Sequence, residues 1–151
     1  PKNYLRIQRG PYVIASVLDE SVSDAPLRLK GDFVDLFDPQ LACSTGERWV
    51  QPGERVLLYD LAWARRHRAN QGIIAASTRV RYPQREDHTL RFIARGPEGS
   101  MATVRLLLPG PAKSVSTSPN LSATVGSDEG SGTSVVTFPN IGADVRVEVG
   151  Y

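Results

Sequence analysis

A single cysteine, Cys43, stands in 151 residues, so no internal disulfide can form and a zinc site built on thiolates is excluded. It lies in Ala42-Cys43-Ser44-Thr45-Gly46, which reads as a loop, and neither His67 nor His88 is placed nearby to activate the thiol. A lone thiol suits a cytosolic protein and does not forbid a secreted one. Histidine is almost as scarce: the two are twenty-one residues apart and lack the spacing of a zinc pair, so they read as surface or loop residues. No apolar run approaches the ~18 residues of a membrane span, and no charged-then-apolar leader opens the chain. A soluble domain without a membrane partner is expected. The chain starts at Pro1 rather than Met, which suggests excision from a longer multidomain protein.

Catalytic signatures are missing as well. No Gly-x-Ser-x-Gly elbow occurs, and Gly130-Ser131-Gly132 is too short a match in what reads as an exposed, mobile loop tip. Neither a Walker pattern nor a Gly-x-Gly-x-x-Gly after a strand is present, so nucleotide binding has no support. The expected protein is therefore not an enzyme.

What the chain does have is extended-strand pattern. From Leu27 to Phe33 apolar residues or Gly alternate with Arg28, Lys30 and Asp32, the period of a strand with one wet face. The parity flips at Phe33-Val34, which predicts a β-bulge there, and Asp38-Pro39 ends the run. Tyr12 to Leu18 and Arg55 to Leu61 are apolar on both parities, as expected of central strands. Gln51-Pro52-Gly53-Glu54 matches a type II turn and predicts a hairpin between its flanks. Ala62 to Gly72 reads as a loop, and Asp19 to Pro26 as a polar connection.

In the second half, Ile73 to Tyr82 reads as one strand, with Thr78, Val80 and Tyr82 on one face and Arg79 and Arg81 on the other. Pro83 to His88 reads as a charged turn. The cleanest alternation is Val145, Val147 and Val149 against Arg146 and Glu148. Eight to eleven short strands joined by Gly/Pro turns predict an all-β fold without significant helix: an antiparallel β-sandwich, jelly-roll or immunoglobulin-like, with a closed barrel as second choice. One domain over 1–151 is expected, with no linker that divides it cleanly and only a soft boundary conceivable near Pro83.

Charge is uneven. Eight arginines fall between Arg65 and Arg95 against Glu86 and Asp87, a basic band able to attract an anionic polymer. Arginines alternating with apolar residues are also what a solvent-facing sheet looks like, and that reading carries more weight, so no nucleic-acid partner is expected. Asp32, Asp35 and Asp38 recur every three residues; calcium is the metal such oxygens would suit, although the Gly and Glu of an EF-hand are absent. No other cofactor is expected. Asp60, in an otherwise apolar strand, should find a structural partner, an arginine or backbone amides. Sugar binding would need exposed aromatic faces to stack on pyranose rings: Trp49 and Trp63 are the first candidates, with Tyr82, Tyr12 and Tyr151 behind them.

The run Arg9-Gly10-Pro11-Tyr12-Val13-Ile14-Ala15, then Leu29-Lys30-Gly31-Asp32-Phe33-Val34-Asp35-Leu36-Phe37-Asp38-Pro39 and Gln51-Pro52-Gly53-Glu54, resembles the accessory, carbohydrate-binding-module-like β-sandwich domains of large bacterial glycoside hydrolases. The tail from Val104 to Pro109, through Val136-Thr137-Phe138-Pro139-Asn140 to Val145–Val149, is similar to the closing segment of such domains. The resemblance implies a non-catalytic module of a secreted or extracellular bacterial enzyme, partnered by a polysaccharide or oligosaccharide and, in cis, by a catalytic domain. It carries over no binding residues. The alternative is a purely structural module that packs against its neighbour.

Overall fold

The structure, a computed structural model, describes residues 2–19, 25–67 and 72–151. The connection at 20–24 and the end of the expected loop at 68–71 lie outside the described residues. Expected as one domain, the chain forms two compact units, 1–68 and 69–151. Fifteen strands and one six-residue helix make up the described secondary structure, and every strand pairing is antiparallel. The all-β expectation holds. No described helix is long and apolar enough to cross a membrane.

The first unit contains β1 (Tyr4–Arg9), β2 (Tyr12–Val17), β3 (Leu27–Lys30), β4 (Phe33–Asp35), β5 (Cys43–Ser44), β6 (Glu47–Val50), β7 (Arg55–Asp60) and the helix α1 (Leu61–Arg66). Strands β1-β2-β7-β4-β5 form one sheet, while β3 and β6 form a separate two-stranded ribbon. Val13, Ala15, Val17, Val56 and Leu58 from the sheet pack with Leu29 and Val50 from the ribbon and with Phe33 in one cluster. Burial of that cluster holds sheet and ribbon together.

Three expectations change in this unit. The parity flip at Phe33-Val34 is not a bulge: β3 ends at Lys30, and the chain resumes at Phe33 as β4 in a different sheet, where Phe33 and Val34 are both buried. Gly31 has φ +134°, and a Cβ there would stand 3.2 Å from the Phe33 ring, so the switch needs glycine. Second, the type II turn is present, with Gly53 at φ +82° and Glu54 N–H donating to Gln51 O at 2.9 Å. Its flanks do not pair as a hairpin, because β6 goes to the ribbon and β7 to the large sheet. Third, the expected loop after Leu61 begins as α1. Asp60 caps it by accepting from Ala62 N–H at 3.0 Å, which outweighs the shortness of the segment.

The second unit contains β8 (Gly72–Ala76), β9 (Arg79–Glu86), β10 (Thr89–Arg95), β11 (Met101–Leu107), β12 (Ser114–Ser118), β13 (Thr124–Asp128), β14 (Thr133–Pro139) and β15 (Val145–Gly150). Two four-stranded sheets, β12-β15-β10-β9 and β13-β14-β11-β8, share one core. Leu90, Phe92, Val145, Val147 and Val149 enter it from the first sheet, and Val104, Leu106, Val136 and Phe138 from the second. This unit is a β-sandwich in the strict sense, two sheets closed over facing aliphatic rows.

Here too the segments are cut differently than expected. Ile73 to Tyr82 is two strands in opposite sheets, broken at Ser77-Thr78. The charged stretch Pro83–Glu86 belongs to β9, which tolerates Pro83 because it is an edge strand. The turn shrinks to Asp87-His88, both at positive φ, as a two-residue hairpin requires. The expected loop tip at 126–132 is partly strand, and Ser131 within it is buried.

Phe138 is fully buried in the second core. Phe138→Ala should destabilise that unit by about 3–5 kcal/mol. Hydrogen exchange resolved by segment should show it as faster exchange across β14 and β15, and unchanged protection there would contradict the assignment of Phe138 to the core.

Candidate functional site

The outer face of the sheet β12-β15-β10-β9 is set by the alternation of its strands. Because Val145, Val147 and Val149 point inward, Arg146 and Glu148 must point outward; Arg91, Ile93 and Arg95 do the same on β10. Register lines these residues into rungs. Gln84, Arg91, Glu148 and Ser116 form one rung across all four strands, and Arg81, Ile93, Arg146 and Ser118 form the next. Three strand spacings of ~4.8 Å make each rung about 14 Å across.

Between the two rungs β9 carries a bulge. Arg91 faces Gln84 and Ile93 faces Arg81, so Tyr82 and Pro83 together oppose Phe92. Tyr82 takes φ +53°, a conformation few non-glycine residues adopt. The extra residue turns its side chain away from the core that Val80 enters, so the expected sharing of a face by Val80 and Tyr82 does not hold. Tyr82 is 69% exposed and, with Gln84, Arg91, Ser116, Arg146 and Glu148, borders an open groove of about 490 Å³. The Arg81 guanidinium lies 5.8 Å from the Tyr82 ring centroid.

The groove mixes one exposed aromatic with hydroxyls, an amide and charged groups. Arg91 Nε donates to Glu148 Oε2 at 3.2 Å. At one end Asp144 Oδ1 accepts from Arg81 Nη2 at 2.7 Å and stands 3.7 Å from Arg95 Nη1. Arg146 is exposed and forms no ion pair among the described residues. Such a surface offers stacking and directed hydrogen bonds.

Three of the other expected aromatics, Trp49, Trp63 and Tyr12, belong to the first unit. Trp49, on β6, is 42% exposed, but its indole N–H donates to Glu47 Oε1 at 3.1 Å and the Arg28 guanidinium sits 6.0 Å from its ring. Trp63, on α1, is half-buried and stacks on His67 at 4.0 Å, with Gly10 against its edge. Tyr12 is 47% exposed and meets Tyr59 edge-on at 5.8 Å. Tyr151 meets His88 edge-on at 6.0 Å in the second unit. Of the expected platforms, Tyr82 is the one that borders the groove. Sequence reasoning missed Gln84, Arg91, Arg146 and Glu148 as its neighbours. Their outward parity was readable on β15, but their assembly depends on strand register.

The aspartate triplet does not gather into a site. Asp32 accepts from Gly46 N–H at 2.9 Å and pairs with Arg65 at 2.7 Å, Asp35 accepts from Phe37 N–H at 2.9 Å, and Asp38 accepts from Gln40 N–H at 2.9 Å and Ala42 N–H at 3.3 Å. Asp35 and Asp38 tie their own loop while Asp32 binds Gly46 and Arg65 farther along the chain, and among the described residues no group of three His, Cys, Asp or Glu is arranged to hold a metal. Asp60 finds the backbone amide expected of it, accepting from Ala62 N–H of α1, and it also accepts from Gln8 Nε2 at 3.1 Å. Cys43 is half-buried in the short strand β5, not in a loop.

No family model, curated protein or solved structure matches this chain.

The Arg65 hydrogen bond, followed by that from Gly46, holds the Asp32 carboxyl below its ordinary value of 3.8. Arg48 does the same for Glu54. A carboxyl depressed in the folded state adds stability that is present above its unfolded value and lost as pH falls through its folded value. Denaturation midpoints of the first unit, followed by tryptophan fluorescence, should therefore fall on acidification below about pH 4. Asp32→Asn should flatten part of that fall. Identical acid profiles for the two proteins would remove Asp32 from the account.

Proposed function

We propose that the chain is a non-catalytic carbohydrate-binding accessory module that holds a polysaccharide-degrading catalytic domain near its glycan. The observation that carries this reading is Tyr82, lifted by a bulge onto an open sheet face and flanked by Gln84, Ser116 and Glu148. An aromatic face supports the apolar side of a pyranose ring, and amide, hydroxyl and carboxylate groups match its hydroxyls. Tethering of this kind raises the local concentration of substrate without any chemistry in the module itself. The sequence resemblance to accessory domains of bacterial glycoside hydrolases supports the same reading.

Affinity electrophoresis through gels containing a panel of neutral and acidic polysaccharides is the direct test. Retardation is expected on at least one of them, and Tyr82→Ala should weaken it several-fold, an aromatic contact being worth about 0.5–1.5 kcal/mol. No retardation on any polysaccharide would overturn the reading.

A specific feature favours the second reading, a structural module that packs against a neighbour. On the outer face of the first unit's large sheet, Ile7, Ile14 and Leu57 form one rung, with Ile7 40% and Ile14 48% exposed, and Leu5 adds to it at 53%. An apolar strip of this kind favours association. Under this reading the isolated chain self-associates in sedimentation velocity, and Ile14→Asp returns it to a monomer. A monomer at all concentrations would count against it.

A further inference from the structure

The groove face carries more positive charge than its own fold can use. Arg79, Arg81, Arg91, Arg95 and Arg146 all project from it, against Glu86, Asp144 and Glu148. Arg79 and Arg95 stand directly opposite each other across β9 and β10, an arrangement that is unfavourable for strand pairing. Glu148 is engaged by Arg91, and Asp144 is shared between Arg81 and Arg95, which leaves Arg146 beside the groove with no ion pair among the described residues. A surface with surplus guanidinium groups at fixed spacing is matched by a ligand that brings carboxylates, which arginine binds through two parallel hydrogen bonds.

We infer that the groove, on the carbohydrate-binding reading from which this follows, is specific for acidic polysaccharide: a chain of uronate residues whose carboxylates engage Arg146 while a sugar ring lies on Tyr82. Single-stranded nucleic acid fits less well. It is held by a series of aromatic platforms, and this face has one among the described residues. The strand spacing sets Arg146 one strand from Ser118 and one from Ile93, so the carboxylate-binding group sits at the middle of the sheet and not at its rim.

The test uses the whole chain in affinity electrophoresis and titration calorimetry against polygalacturonate, a neutral galactan, and a single-stranded oligonucleotide of matched charge. Polygalacturonate should bind tightest of the three and weaken as salt is raised. Arg146→Ala should reduce its binding about tenfold, the scale of a charge-assisted hydrogen bond. Glu148→Gln should strengthen binding, because it removes the nearest repelling carboxylate and frees Arg91; this gain cannot arise from a misfolded variant. Galactan binding equal to polygalacturonate binding, or an Arg146→Ala variant indistinguishable from the parent, overturns the inference while leaving carbohydrate binding intact. Tighter binding of the oligonucleotide overturns the inference in favour of nucleic acid. Binding of none of the three removes the inference, and failure on the wider polysaccharide panel removes the carbohydrate reading with it.

Discussion

Burial of the row Val145, Val147 and Val149 against Val104, Leu106 and Phe138 orients everything else in the second unit. A strand has a period of two, so fixing one face fixes the other. With the valines committed to the core, Arg146 and Glu148 have no choice but the outer surface, and the same holds for Arg91 and Arg95 once Leu90, Phe92 and Ala94 are buried. A one-residue slip of β15 would place two charges between the sheets at a cost no contact there could offset. The groove is therefore the reverse side of the core.

One residue escapes that rule, and it borders the groove. The bulge at Tyr82-Pro83 breaks the alternation of β9 and holds Tyr82 at positive φ, a strain of order 1–3 kcal/mol for a residue with a side chain. A sheet edge tolerates such an insertion because one side of the strand has no ladder to disturb. The result is a large aromatic ring displayed above a polar face.

The first unit spends its polar groups differently. The carboxylates of Asp32, Asp35, Asp38 and Asp60 serve backbone amides and neighbouring side chains: Asp35 and Asp38 close the turn between β4 and β5, Asp32 holds Gly46 between β5 and β6, and Asp60 caps α1. Trp49 and Trp63 are likewise engaged, by Glu47 and by His67. What this unit leaves uncommitted is apolar: Leu5, Ile7 and Ile14 on the outer face of its large sheet. The polar groove and the apolar strip thus lie in different units, and each suggests a different kind of partner.

Alternation, turn chemistry and the lack of helical period made the antiparallel β class readable from residue order, because those signals are local. The type II turn at Pro52-Gly53, the structural role of Asp60 and the wet face of β15 were legible for the same reason. Where strands change sheet was not: a parity flip looks the same whether it marks a bulge, a break at Gly31-Asp32 or a break at Ser77-Thr78, and only the partner strand distinguishes them. The candidate site was hidden by the same ambiguity. Gln84, Arg91, Glu148 and Ser116 are spread over sixty-five positions and become neighbours through register alone, which is set by hydrophobic burial across the whole unit and not by any stretch of the chain.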